Sequence, residues 1–147
     1  MEALKVITDE QRALIKDAIR KAEMRTSGEI RVFIEDHSED GPLNRAVFIF
    51  SELGMNKTAL RNGVLIYIAI VDRKFAIIGD AGINERVGAA FWDEIKSNMT
   101  EHFKEGRFAE GIENAVAASG EALARYFPFE RNDNNELSDE IVFGSES

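Results

Sequence analysis

Glu29, Asn62, Asp80, Asn84 and Glu85 are the residues whose types point to chemistry, because each offers a carboxylate or amide oxygen. Calcium takes such hard donors in number, and magnesium takes fewer of them and keeps part of its water. Gly63, Gly79 and Gly82 stand beside them and let the backbone approach closely. Zinc fits this set poorly, since the chain has no cysteine and its two histidines, His37 and His102, lie far apart. A plainer reading of the same residues stays open. Asn62-Gly63 is also a turn dipeptide, Asn84 is a residue type that caps helices, and Glu85 would then be a first-turn carboxylate facing the helix dipole.

Other chemistry-bearing residues carry less. Asp36-His37-Ser38 holds triad residue types, but neighbours on one loop do not supply nucleophile, base and orienter in line, so a solvated turn is expected. His102 beside Phe103 reads as a packing residue. Phe91, Trp92 and the Phe127-Pro128-Phe129 group read as core filling. The sequence lacks a GxxxxGK[ST] loop, a GxGxxG turn after a strand, a GxSxG elbow and an HExxH pair. A cysteine nucleophile is impossible, and Asp133, Asn135 and Leu137 break the spacing of an EF-hand.

The elements that must position the oxygen donors are legible from periodicity. Thr8-Asp9-Glu10-Gln11 is a capping box, and a helix with Leu14, Ile15, Ala18 and Ala22 on one face follows it. Ile30, Val32 and Ile34 alternate with Arg31 and Phe33, which is a strand. Gly41-Pro42 opens a second helix with Leu43, Ala46, Val47, Phe50 and Leu53 as its stripe. Residues 64–71, VLIYIAIV, are apolar on both faces, as a central strand between helical layers must be. The Asp72-Arg73 turn returns the chain as an antiparallel strand over residues 74–78. Val87, Phe91, Ile95 and Met99 form one helical series, and Phe108, Ile112 and Val116 a second, separated by Gly106-Arg107.

These elements predict a three-layer α/β/α sandwich with a small mixed sheet. A β-α-β crossover makes the first two strands parallel, the hairpin adds the third, and helices cover both faces. Glu29, Arg61-Asn62-Gly63 and Gly79-Asp80-Ala81-Gly82 then share one end of the sheet, with Glu35-Asp36-His37 and Asp72-Arg73 at the other. The expected domain spans residues 1–129. Residues 130–147 form an acidic tail, with Glu130, Asp133, Glu136, Asp139, Glu140 and Glu146 against Arg131 alone. The tail's Glu140-Ile141-Val142-Phe143-Gly144 patch is apolar enough to dock as an edge strand.

Composition limits the partners. A net charge of −9 disfavours nucleic acid and anionic lipid, and 44% hydrophobic with 31% charged residues describes an ordinary soluble globular chain. No run approaches the roughly 20 apolar residues of a membrane span, and Met1-Glu2-Ala3-Leu4-Lys5 is not the start of a secretory signal. The chain as it stands therefore reads as cytoplasmic.

The order of motifs resembles the TPM domain family. The stretches are Thr26-Ser27-Gly28-Glu29-Ile30-Arg31-Val32, Arg61-Asn62-Gly63-Val64-Leu65-Ile66-Tyr67, Asp72-Arg73-Lys74-Phe75-Ala76-Ile77-Ile78-Gly79-Asp80 and Phe103-Lys104-Glu105-Gly106-Arg107-Phe108. Asn135-Glu136-Leu137-Ser138-Asp139-Glu140-Ile141 is similar to the tail of short soluble bacterial members. The resemblance implies an α/β/α sandwich and divalent-cation binding, calcium above all, at an acidic site near strand ends. Two functions follow from it: a calcium-binding domain that presents a surface to another protein, or a metal-dependent acid phosphatase acting on phosphate esters. The first is preferred here, because no histidine or lysine is near the proposed cluster to serve as general acid or base.

Overall fold

The computed structural model describes residues 3–129 and 141–144. In chain order the elements are α1 (Ala3–Val6), α2 (Asp9–Glu23), β1 (Glu29–Glu35), α3 (Pro42–Glu52), a short 3-10 turn (Met55–Lys57), β2 (Gly63–Ala69), β3 (Lys74–Gly79), α4 (Ala81–Val87), α5 (Ala89–Lys104), α6 (Phe108–Tyr126) and β4 (Val142–Phe143). The strands form one mixed sheet in the order β3-β2-β1-β4. The fold is the expected α/β sandwich. β1 and β2 run parallel with Glu29 opposite Gly63 and Glu35 opposite Ala69, and β3 returns antiparallel with Val64 opposite Gly79.

Helix α2 starts at the capping box. The Thr8 hydroxyl accepts from the Gln11 amide at 3.1 Å, and the Gln11 side chain accepts from the Thr8 amide at 2.9 Å. Two amides that the helix itself cannot satisfy are thereby paired. One face of the sheet carries Ile30, Val32, Ile34, Val64, Ile66, Ile68 and Ile77, and α2, α5 and α6 cover it with Ile15, Ile19, Trp92, Ile95, Met99, Ile112, Val116 and Leu123. The other face carries Phe33, Leu65, Tyr67 and Ala76 beneath Ala46, Ile49 and Phe50 of α3. Every residue of β2 is buried, which follows from helices lying on both sides of it.

Three expectations about the helices need correction. Leu14 is exposed, and the inward stripe of α2 runs through Ile15, Ile19 and Ala22. Leu43 and Val47 are more than half exposed, since α3 turns Ala46, Ile49 and Phe50 to the sheet and leaves its opposite side to solvent. The series from Val87 to Met99 is two helices: Gly88, at φ +77, breaks it between α4 and α5. That left-handed backbone suits glycine, and apolar spacing carries no trace of it. The acidic residues of 130–140 and Glu146 lie outside the described residues. Residues 142 and 143 pair parallel with Phe33 and Ile34 as an edge strand.

Candidate functional site

Strand register brings the predicted oxygen donors to one end of the sheet. Glu29 opens β1 opposite Gly63, and its amide donates to the Asn62 carbonyl at 3.4 Å. The Asp80 amide donates to the Gly63 carbonyl at 2.9 Å, and the Asn84 amide to the Asp80 carbonyl at 2.9 Å. Glu29 and Asn62 are each 2% exposed and Asp80 7%, whereas Asn84 and Glu85 lie on the solvent side of α4.

Asp80 is the N-cap of α4. Its Oδ1 accepts from the Ala81 amide at 2.8 Å. Arg61 closes on the same carboxylate from the loop before β2, with Nε to Oδ2 at 2.7 Å and Nη2 to Oδ1 at 2.8 Å. This two-point contact matches the planar guanidinium to the carboxylate. Burial pulls the Asp80 pKa upward, but the Arg61 and Ala81 hydrogen bonds and the Arg61 charge outweigh it, so the carboxyl stays below its ordinary value. Arg61 itself sits at φ +51, a left-handed conformation that costs a non-glycine residue on the order of 1 kcal/mol. The loop is held there by Gly82, whose amide donates to the Arg61 carbonyl at 2.8 Å. A Cβ on Gly82 would stand 2.2 Å from the Leu60 carbonyl oxygen, so the approach requires glycine.

The other donors are also engaged. Asn62 Nδ2 donates to Ser27 Oγ at 3.3 Å. Asn84 Oδ1 accepts from Trp92 Nε1 at 2.9 Å, which places Asn84 inside α4, with the capping role taken by Asp80. Among the described residues no three acidic or histidine side chains form a group that could hold a metal ion. In donor chemistry the set suits a hard cation. In arrangement, Asp80 is paired with a cation of the chain itself, the Arg61 guanidinium, whose side chain is 52% exposed.

The opposite end of the sheet holds two pairings that residue types alone did not reveal. Glu35 is bound by Arg45, with Nε to Oε2 at 2.8 Å and Nη2 to Oε1 at 3.1 Å, and accepts from the Tyr67 hydroxyl. Burial first, and then the neighbouring Glu35, push the Tyr67 phenol far up, so it remains a donor. His37 Nδ1 meets Asp72 Oδ1 at 2.8 Å, while the Ser38 amide donates to Asp72 Oδ2 at 2.9 Å. The His37-Asp72 pair spans two loops, which is why the reading of Asp36-His37-Ser38 as a local turn did not find it. The sequence reading leaves Glu35 at the strand end; the alternation that puts it on one face with Phe33 is the signal that could have found its burial. His102, as expected, is packed inside: Nδ1 lies 2.8 Å from the Asn98 carbonyl and Nε2 3.3 Å from Asn114.

Against known proteins, the profile of the TPM domain matches residues 2–122. The NMR structure of the BA42 protein from the psychrophilic bacterium Bizionia argentinensis is 45% identical, with a TM-score of 0.86 over 94% of this chain and 95% of that one. An N-terminal domain from P. gingivalis is 20% identical with a TM-score of 0.68, covering 83% of this chain and 79% of that one. The N-terminal domain of cg2496 from Corynebacterium glutamicum is 14% identical with a TM-score of 0.64, covering 80% and 74%. At those identities the last two bear on the fold alone. No curated protein matches the sequence. None of the described helices is long and apolar enough to cross a membrane.

Proposed function

We propose, from the premise that the chain belongs to the TPM domain family, that it is a divalent-cation-binding module that presents a surface to another protein. Calcium, or magnesium in its stead, binds at Asp80 with Glu29, Asn62, Asn84 and Glu85 as the neighbouring oxygen donors, and it does so in exchange for Arg61. The observation that carries this reading is the bidentate Arg61–Asp80 contact, an exposed guanidinium on a buried carboxylate among oxygen donors. Half of the Arg61 side chain is in water, so the guanidinium can swing clear of the carboxylate without burying its own charge, and the incoming cation takes over the pairing of the buried Asp80. The interaction half of the reading is supported by α3, where Leu43, Val47 and Phe48 are 59%, 55% and 53% exposed. Three large apolar side chains exposed on one short helix are what an association surface would use.

Calorimetry with calcium on the wild type, Asp80→Ala and Arg61→Gln tests the exchange. Removing the competing guanidinium should tighten calcium binding about tenfold, equivalent to ~1.4 kcal/mol, while Asp80→Ala should abolish it. Equal affinity in all three would move the cation elsewhere, and no binding in any would remove it. The phosphatase reading is separated by the same proteins. Hydrolysis of p-nitrophenyl phosphate that needs calcium and disappears in folded Asp80→Ala would replace the module reading.

A further inference from the structure

Among the described residues β4 covers only one end of the outer edge of β1, and towards the other end the Ile30 amide donates to Glu23 Oε2 at 2.8 Å. β1 has seven residues, and among the described residues β4 faces only Phe33 and Ile34 of them. The way β4 sits defines what the edge accepts. Ile141 and Phe143 pack on the large core and Val142 on the α3 side, so successive side chains enter opposite layers. The Phe143 ring lies under the Arg12 guanidinium, 5.7 Å from its centroid. Gly144 is buried, and its amide donates to the Ile34 carbonyl at 2.8 Å. A Cβ there would stand 2.7 Å from Glu35 Cβ and 2.9 Å from its Oε1. Glu35 cannot withdraw easily, because Arg45 and Tyr67 hold it.

We infer that this edge is a strand-acceptor slot for an extended peptide of another protein carrying a β-branched residue, an aromatic residue and glycine in succession, and that residues 141–144 occupy it in cis as a competitor. Main-chain pairing with the edge supplies affinity, and the two side-chain seats with the glycine-only position supply selectivity. The occupant in cis is replaceable. It pairs through two residues against seven for β1 with β2, and Ile141, Val142 and Phe143 are each only half-buried. Elements with so few buried contacts open at the low end of a protein's local stabilities. The slot lies at the Glu35 end of the sheet, so it stands independently of cation binding at Asp80.

The test uses the full chain and a fluorescein-labelled peptide with the sequence of residues 139–145. Phe143→Asp and Gly144→Val each dislodge the strand in cis, one by losing the ring contact and the other by colliding with Glu35. Both variants should bind the peptide at least tenfold more tightly than the wild type, since they lack a competitor tethered at an effective concentration on the order of millimolar. The same peptide carrying Gly144→Val should not bind either. Equal binding by wild type and variants, no binding by variants that melt like the wild type, or indifference to the peptide's glycine would each overturn the proposal. If a variant melts early, the wild type decides: its Gly144 amide resonance should move at about millimolar peptide, and a resonance that stays in place refutes exchange.

Discussion

Asp80 spends its carboxylate on a helix cap and a salt bridge, so its role in stability can be measured apart from any role in binding. Asp80→Ala should cost about 1–2 kcal/mol at pH 7 by chemical denaturation, the usual worth of a cap with its charged partner. Its pKa is lowered in the folded state from 3.8. That contribution is therefore whole above about pH 4 and disappears as pH falls through the lowered value, where the variant and the wild type should converge. His37 has the opposite sign. The Asp72 hydrogen bond raises it from 6.5 against a smaller opposing effect of desolvation. Stability from this pair is complete from pH 6.5 down to the acid range where Asp72, itself lowered from 3.8 by the His37 hydrogen bond, takes up a proton, and it is lost as pH rises through the raised His37 value, a dependence that should be missing in His37→Gln. At Glu35, alanine would strand the Arg45 guanidinium and the Tyr67 hydroxyl in a partly dry layer, for an expected loss of about 3 kcal/mol. Tyr67→Phe should cost only about 1 kcal/mol. None of these pairings is written in local spacing. Arg61 and Asp80 are joined by the β2-β3 hairpin, and Glu35 and Tyr67 by the crossover through α3, so charge partners became visible only once the chain was folded.

The elements were more readable than their partners, and for a physical reason. Period-2 and period-3.6 patterns record burial, and burial is decided by the layer an element joins. Thus β2 was legible from its two-sided apolar run, and hydrogen exchange should find the amides of Tyr67 and Ile68 among the slowest. Stripes on helices were legible only in part. The α3 pattern predicts Leu43 and Val47 inside because apolar spacing reads as burial, and the helix instead shows them to solvent. Helix breaks were not legible where a single glycine makes them, as at Gly88. Gly82 illustrates what such positions are for. Its missing side chain lets α4 settle on the Leu60-Arg61 loop, and Gly82→Ala should destabilise by about 3 kcal/mol, because the contacts it would make are with backbone that cannot rotate away. On α3, Val47→Ser should leave the melting temperature almost unchanged, as expected for a surface position.

For the molecule as a whole, the family and the α/β sandwich were already legible in the ordered motifs, while the chemistry of the donor cluster was not. Oxygen-bearing residue types say what an ion would accept, and nothing about whether an arginine has reached the carboxylate first. If calcium binds the folded state at Asp80, the melting temperature should rise with calcium concentration and the rise should be absent in Asp80→Ala. The distribution of the two cores along the chain has a further consequence. The smaller one, beneath α3, draws its buried residues from Phe33 to Ala76, with the half-buried Val142 joining it from the far end of the chain. The larger one cannot close until α5 and α6 arrive to cover Ile30, Val32, Ile34, Val64, Ile66 and Ile68. On a ribosome, where a chain emerges at roughly 5–20 residues per second, the sheet would for several seconds be dressed on one side and bare on the other. During translation the branched-aliphatic face of the sheet therefore stays without its α5 and α6 cover until the last long helix has left the exit tunnel.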